Sequence, residues 1–93
     1  MDRVDQRKVK ANWRLRGFSC DIWTDPPQQI WSNYIHEVDE RVMLLEGEIE
    51  LSFEGKAIHP KIGEEVLVPA RVRHTVINIS KGTNRWFYGY KKS

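Results

Sequence analysis

The stretch of sequence that says most about the fold is Gly63-Glu-Glu-Val-Leu-Val-Pro69-Ala-Arg-Val-Arg-His74-Thr-Val-Ile-Asn78. It contains two apolar runs separated by turn-forming residues, which predicts two strands joined by a turn. Along the second run every other side chain falls on the same side of an extended chain, so His74 and Asn78 share a face with two valines. A histidine among valines on an inward face is either a core histidine with satisfied hydrogen bonds or a ligand.

Similar short apolar segments separated by Gly and Pro turns occur along most of the chain. Their pattern predicts strands at 13–20, 21–24, 29–36, 40–45, 48–53, 56–59, 65–68, 74–80 and 85–91. In the segment 48–53, Ile49, Leu51 and Phe53 lie on one side and polar residues on the other, as in a strand with one face in a core. Closely spaced strands of this kind predict an all-β antiparallel sandwich or barrel.

Length and composition indicate a single ordinary globular domain. The chain has 93 residues, of which 40% are hydrophobic and 30% charged. No apolar run is long enough to cross a bilayer, and the basic N-terminus is not followed by the apolar segment of an export signal. The lone Cys20 cannot form an internal disulfide, which fits a reducing compartment. We therefore expect a cytoplasmic protein without a membrane partner.

Basic residues are concentrated at the N-terminus. We interpret residues 1–12 as a partly flexible basic arm and residues 13–93 as the single folded domain. Such an arm could contact phosphates, but the net charge is only +2 and nothing else indicates groove recognition, so a nucleic-acid partner is not expected. The basic residues concerned are Arg3, Arg7, Lys8, Lys10, Arg14 and Arg16.

Two histidines and a glutamate form the candidate site. Glu40 follows His36 by four residues, so the two side chains share a face or converge across a tight turn, and His74 comes from a later strand. Two imidazoles and one carboxylate suit iron, manganese, nickel or zinc and leave coordination positions open for a substrate. His59 stands beside Pro60 at a predicted turn and is interpreted as a surface residue.

The stretch 63–78 resembles the second motif of the cupin family, G(x)5PxG(x)2H(x)3N. All spacings match, and one of the five fixed residues differs, because Arg71 replaces the second glycine. That glycine provides a turn in which a positive φ angle is convenient. An arginine here is either a solvated turn residue or a cation near the mouth of a pocket.

The stretch 34–47 resembles the first cupin motif, G(x)5HxH(x)3–4E(x)6G. Tyr34 stands where the family has its first histidine, and Gln28 stands where it has the leading glycine. The resemblance covers roughly residues 17–90. The residues that match at the family's spacing are His36, Glu40 and Gly47.

This resemblance implies a cupin-type antiparallel β-barrel, a jelly-roll-like double-stranded β-helix, with a divalent metal held by His36, Glu40 and His74. The fourth ligand position of the family falls on Tyr34. Its phenol could coordinate the metal when ionised, act as a catalytic proton-transfer group beside it, or form a wall of the pocket. Asn78 resembles a structural position of the family. The chain as a whole is similar to small stand-alone bacterial cupins without an assigned activity.

Aromatic residues are numerous for so short a chain. Alternation places Trp86, Tyr88 and Tyr90 on one face of the last predicted strand. Three interpretations remain open for these rings, namely core packing, a subunit interface and the lining of a substrate pocket. The family resemblance and the aromatic content together predict a homodimer.

Two classes of function follow. In the first, the protein is a metal-dependent enzyme acting on a small molecule, with oxygenase, isomerase or lyase chemistry unresolved because the fold does not choose among them. In the second, it is a non-catalytic module that binds or senses a small ligand, with or without a metal. The loss of the first motif histidine favours the second class.

Overall fold

The computed structural model describes residues 4–92, except for the side chain of Asn33. Its elements in chain order are α1 (Gln6–Leu15), β1 (Asp21–Asp25), β2 (Ile30–Tyr34), β3 (Glu40–Glu46), β4 (Ile49–Phe53), β5 (Lys56–Ile58), β6 (Glu65–Val68), β7 (His74–Asn78) and β8 (Asn84–Tyr90). No helix in this described part of the chain is long and apolar enough to cross a bilayer.

The strands form two antiparallel four-stranded sheets. One sheet has the order β1-β8-β3-β6 and the other the order β2-β7-β4-β5. Both sheets contribute to one buried apolar cluster, which includes Leu44 and Trp86 from the first sheet and Leu51 and Val76 from the second. The prediction of an all-β antiparallel fold is confirmed. The bounds of β1 to β8 lie close to those predicted from the sequence pattern.

The predicted strand faces are also confirmed. In β4, Ile49 and Leu51 are buried while Glu50 between them is half-buried. In β7, His74 and Asn78 are buried, as expected for an inward-facing set. The side-chain amide of Asn78 donates to the carbonyl oxygens of Pro26 at 2.9 Å and Gly82 at 3.1 Å. Asn78 thus ties two turns together, which fits the structural position that the family resemblance implied.

The strand predicted at 13–20 is wrong, because helix α1 extends to Leu15 and crosses the expected boundary between residues 12 and 13. Asp5 caps the helix by accepting a hydrogen bond from the Lys8 backbone N–H at 3.2 Å. Val9 and Trp13 are four residues apart and therefore occupy one helical face. Residues 1–3 of the predicted basic arm lie outside the described residues.

The helix packs on the outside of the first sheet through a second apolar cluster, formed by Trp13 with Phe18, Cys20, Met43 and Phe87. The Trp13 and Phe87 rings are 6.0 Å apart. Burial raises the pKa of the Cys20 thiol to about 11, so this cysteine is an uncharged member of the cluster at neutral pH. The helix is therefore part of the folded core.

Glu65 in β6 joins the helix to the sheet. Its carboxylate accepts hydrogen bonds from the Trp13 indole at 2.8 Å, from Arg16 at 2.8 and 3.0 Å, and from Arg41 at 2.5 Å. The hydrogen bond from Arg16 lowers the pKa of Glu65, and Trp13 and Arg41 add to this effect against the opposing effect of burial. Arg16, one residue of the basic N-terminus, thus has a partner within the protein.

Two turns keep the conformation that glycine would favour although the glycines are absent. Gln28 has a φ of 66° and Arg71 a φ of 64°, and these are the two of the four motif glycine positions at which this chain has another residue. A non-glycine residue in the left-handed region costs about 1–2 kcal/mol. The Arg71 side chain is exposed, with Nε 3.4 Å from the Glu37 carboxylate. It does not line the cavity described below, so the structure supports the solvated turn residue.

Candidate metal centre and cavity

Three separate segments bring the predicted ligands together. His36 lies in the loop after β2, Glu40 is the first residue of β3, and His74 is the first residue of β7. Oε1 of Glu40 is 3.1 Å from Nε2 of His74 and 3.5 Å from Nε2 of His36. The ligand atoms of the three residues all lie within 4.8 Å of one another. The cluster that the sequence predicted is therefore assembled in the fold.

Backbone contacts hold the loops that carry these side chains. The Arg71 backbone N–H donates to the His36 carbonyl at 2.7 Å. The Ala70 backbone N–H donates to the Asp39 carboxylate at 2.8 Å. Because β2 pairs with β7 in a register that opposes Tyr34 to His74, the histidine of the second motif faces the residues of the first. The turn before β7 and the loop before β3 are thus locked against each other.

Two of the three residues in this polar cluster are buried. Glu40 is 4% exposed and His74 is 6% exposed. Nδ1 of His74 is 3.4 Å from the Val72 carbonyl oxygen, and Nε2 faces Glu40. Burial acts to lower the pKa of His74, but the neighbouring Glu40 carboxylate and the backbone carbonyls of Val72 and Tyr34 outweigh it and raise the pKa.

A divalent cation fits this donor set. Oε1 of Glu40 is buried and accepts no hydrogen bond from the described residues, although two imidazole nitrogens lie beside it. A buried carboxylate oxygen beside two imidazole nitrogens is stabilised by a positive charge, which either a proton on an imidazole or a bound cation can supply. Ligands about 2.1 Å from one ion lie about 3 Å apart in adjacent positions, close to the separations from Glu40. Two imidazoles and a carboxylate favour first-row transition metals over calcium or magnesium.

The cluster lies beside a cavity of about 220 Å³. Four buried residues form its floor, namely Glu40, His74, Val76 and Trp86. The other six lining residues are less deeply buried and surround the cavity, and we call them the aromatic rim. In order around the cavity they are His36, Tyr34, Trp31, Trp23, Tyr88 and Tyr90.

The rim is a closed circuit of ring contacts. From His36 one arm runs through Tyr34 to Trp31, with ring centroids 6.3 and 5.9 Å apart. The other arm runs through Tyr90 to Tyr88, with centroids 4.8 and 5.9 Å apart. Trp23 closes the circuit, 5.4 Å from Trp31 and 6.2 Å from Tyr88. Of the three interpretations of the aromatic face of β8, the lining of a pocket is the one that the geometry supports.

A buried carboxylate supports the rim from behind. Oδ1 of Asp25 accepts a hydrogen bond from the Trp31 indole, and Oδ2 accepts one from the Trp86 indole, both at 2.9 Å. Asp25 has no exposed surface. It lies at the end of β1, before two prolines, where the sequence pattern indicated only a turn. The signal that sequence reasoning missed is that this turn contains an acidic residue flanked by tryptophan-bearing strands.

The two tyrosines nearest the cluster differ in environment. Tyr34 is half exposed, and its ring stacks against His36 at an interplanar angle of 20°. Tyr90 opposes Glu40 across the β3–β8 pair. Burial raises the pKa of Tyr90 to about 12, and the charge of Glu40 adds to this effect. Tyr90 is therefore a protonated donor at neutral pH, a property that the sequence did not single out.

His59 lies away from the cluster, as predicted. Its side chain is exposed, and Nε2 is 3.3 Å from the Glu50 carboxylate. Because it is a histidine on the same scaffold without a place in the cavity, it offers a matched control for substitutions at His36 and His74.

The two antiparallel sheets face each other and enclose a polar cluster and a cavity. This arrangement defines a small β-barrel protein with a candidate binding site inside the barrel. The chain belongs to the cupin domain family, Cupin_2, whose family model matches residues 21–90. The resemblance carried by the two sequence motifs is thereby confirmed. No functionally curated protein is significantly similar to the chain.

Solved cupin structures share the fold at low sequence identity. The chain is similar to the Cnp3 cupin domain of Schizosaccharomyces pombe, with a TM-score of 0.75, 18% identity, and coverage of 83% of this chain and 57% of that one. A cupin superfamily protein of Desulfitobacterium hafniense, DSY2733, has a TM-score of 0.72, 17% identity and coverage of 82% and 68%.

An oxalate oxidase in complex with the substrate analogue glycolate has a TM-score of 0.73, 19% identity and coverage of 83% of this chain and 43% of that one. The chain thus spans less than half of that enzyme and 57–68% of the other two proteins. At these identities the likeness concerns the fold alone.

Proposed function

We propose that the protein binds one divalent transition-metal ion through His36, Glu40 and His74 and acts on a small molecule in the adjoining cavity. The observation that carries the proposal is the Oε1 atom of Glu40, which is buried without a hydrogen bond between two imidazole nitrogens. Such a centre uses three protein ligands and keeps other coordination positions for a substrate. Iron, manganese, nickel and zinc all match the donor set.

The residues around the centre suggest how the reaction would be supported. A bound divalent ion supplies Lewis acidity toward an oxygen atom of the substrate. Tyr90 keeps its proton at neutral pH and can donate a hydrogen bond into the cavity. Tyr34, at the rim beside His36, is the proposed proton-transfer group. Oxygenase, isomerase and lyase reactions are all compatible with these parts.

The walls that the structure describes offer no basic side chain to a substrate like oxalate. Oxalate is a dianion, and carboxylates are usually recognised by arginine or lysine side chains. Among the described residues that line the cavity there is neither. The similarity to oxalate oxidase therefore supports a reaction on a small molecule inside this kind of barrel. It does not identify the substrate of this chain.

Metal analysis tests the proposal. The untagged protein, incubated with zinc, manganese, iron(II) or nickel and then desalted, is expected to retain about one ion per chain. His74→Ala is expected to lower metal affinity by at least tenfold, because it removes one of three ligands. The measurement is metal content by mass spectrometry together with a competition titration against a chelator.

His59→Ala is the matched control and is expected to retain the metal of the wild type. The proposal fails if wild type and His74→Ala hold equal amounts of every ion tested. Thermal unfolding of the metal-free proteins shows whether His74→Ala is still folded. In the presence of metal, the melting temperature of the wild type should rise, because a ligand that binds only the folded state stabilises it.

A second candidate function is binding or sensing of a small ligand without metal. The observation that favours it is the wall composition, because rings supply most of the cavity and Tyr34 replaces a family ligand. Ligand-induced thermal stabilisation that persists in excess chelator supports this candidate. A chelator-sensitive stabilisation supports the metal-dependent function instead.

The predicted homodimer is also part of the proposal. Several large apolar side chains are exposed on the described surface, including Ile30, Ile62, Leu67 and Ile79. Apolar patches on small barrels are commonly covered by a second copy. Light scattering is expected to give twice the mass of one chain, and the mass of a single chain at every concentration measured contradicts the homodimer.

A further inference from the structure

The cavity walls carry negative charge without a balancing basic side chain. Glu40 is the acidic residue in the floor, and no lysine or arginine is among the described lining residues. The Asp25 carboxylate lies directly behind the wall, on the indole N–H groups of Trp31 and Trp86. In the metal-free cavity an anionic ligand would therefore meet two carboxylates and, among the described residues, no lysine or arginine, whereas a positively charged ligand would meet a favourable potential.

The rings are inclined to one another like adjacent walls of a box. The interplanar angle is 76° between Trp23 and Trp31, 79° between Trp23 and Tyr88, and 67° between Tyr88 and Tyr90. A flat aromatic ligand fits best between parallel ring faces. Inclined faces surround a rounded group instead, and the negative π-face of tryptophan and tyrosine attracts cations within about 6 Å.

Asp25 strengthens this attraction. A carboxylate that accepts a hydrogen bond from an indole N–H polarises the indole. The π-face of the ring then carries more negative charge and attracts a cation more strongly. The formal charges of Asp25 and Glu40 together cancel that of one divalent ion, so a metal bound at the cluster leaves these three groups without net positive charge. A cationic ligand is therefore not excluded by a metal bound at the cluster.

We infer that the cavity binds a small organic cation of the substituted-ammonium class, with its charged group enclosed by the aromatic rim. This inference deepens the proposed function and rests on it for the reactive end of the ligand, which would lie toward His36, Glu40 and His74. The cavity of about 220 Å³ is smaller than the roughly 300–1,000 Å³ of drug-sized sites, so the ligand is a small metabolite.

The test compares three probes of almost the same shape and different charge. These are choline, its neutral analogue 3,3-dimethyl-1-butanol and the anion 3,3-dimethylbutanoate. Each is titrated into the full chain, once in chelator and once with zinc, and followed through the tryptophan indole N–H signals in NMR spectra. Choline is expected to bind about tenfold more tightly than the alcohol, and the anion in chelator more weakly than either.

Trp23 provides the discriminating variants, because it closes the rim at an exposed position, with 39% of its surface accessible. Trp23→Leu keeps an apolar wall and removes the π-face. It is expected to reduce choline affinity about fivefold and the affinity for 3,3-dimethyl-1-butanol by clearly less, so that the preference for choline shrinks. Trp23→Phe keeps a ring face and is expected to restore most of the choline preference. Circular dichroism checks that both variants are folded.

Equal affinity for choline and the alcohol, or preferred binding of the anion in chelator, overturns the inference. This result is independent of the metal analysis. If zinc binds and choline shows no preference, the proposed metal centre stands and the cation site fails. If choline shows its preference in chelator and no ion binds, the metal-dependent function fails and the cation site stands.

Discussion

Replacing Trp13 by alanine is expected to lower the free energy of unfolding by about 3–5 kcal/mol, the usual cost of truncating a fully buried aromatic residue. Trp13 is 1% exposed and packs against Phe87. Its ring also covers the backbone of Gly89, where an added Cβ would lie 2.9 Å from a Trp13 ring carbon. A domain of this size has a total stability of about 5–15 kcal/mol, so the loss is a large fraction. Urea unfolding measures it.

Leu15→Ala is the matched control on the same helix. Leu15 is 87% exposed, and we expect its substitution to change the free energy of unfolding by less than about 0.5 kcal/mol. Trp13→Phe keeps most of the buried area and loses the hydrogen bond to Glu65, so it is expected to fall between the two. If Trp13→Ala is as stable as Leu15→Ala, the helix is not part of the core and the N-terminus is the loose arm that its charge suggested.

The barrel strands could be predicted because their signal is local. Alternation with a period of two and the turn residues between strands are both visible within six to eight residues. The strand at 65–68 was predicted with its observed bounds, and the faces of β4 and β7 were assigned correctly. The proximity of His36, Glu40 and His74 could be predicted because the two motifs fix their positions relative to the turns, and pairing of β2 with β7 brings them together.

The helix could not be predicted with the same ease, because its fate depends on distant residues. The high density of charge near the N-terminus suggests a solvated segment, whereas Trp13 is held by Phe18, Met43 and Phe87, which come from other parts of the chain. The aromatic rim shows the same difficulty. Its rings come from β1, β2, β8 and the loop after β2, and no local pattern states that strands of two different sheets turn these rings toward one space.

Asp25 was missed for a related reason, since an aspartate before Pro26-Pro27 is typical of an exposed turn. The structure instead buries it between two indoles, and its substitution is the second large effect that we expect. Asp25→Ala should lower the free energy of unfolding by about 3–5 kcal/mol, because it removes a buried charged acceptor and leaves two donors in the interior without partners.

Asp25→Asn is the sharper variant, because it preserves shape and replaces one acceptor oxygen by a donor. The amide can accept from one indole, but its NH2 group then faces the other, so we expect a loss of about 2–3 kcal/mol in urea unfolding. In the Trp31→Phe background this conflict disappears, because the amide oxygen can serve Trp86 while the NH2 group faces a ring without an N–H. The additional cost of Asp25→Asn should then fall below about 1 kcal/mol.

Equal costs of Asp25→Asn in the wild-type and Trp31→Phe backgrounds would show that the indole hydrogen bonds do not carry the effect. If Asp25 positions the indoles, its substitution should also change a property that does not depend on stability, namely the selectivity of ligand binding. In the folded Asp25→Asn protein, the preference for choline over 3,3-dimethyl-1-butanol should shrink, because one indole loses the carboxylate that orients it and enriches its face. If Asp25 only stabilised the barrel, its substitution would lower the affinities for choline and 3,3-dimethyl-1-butanol equally or leave both unchanged. Asp25 therefore links the stability of the barrel to the chemistry of its cavity.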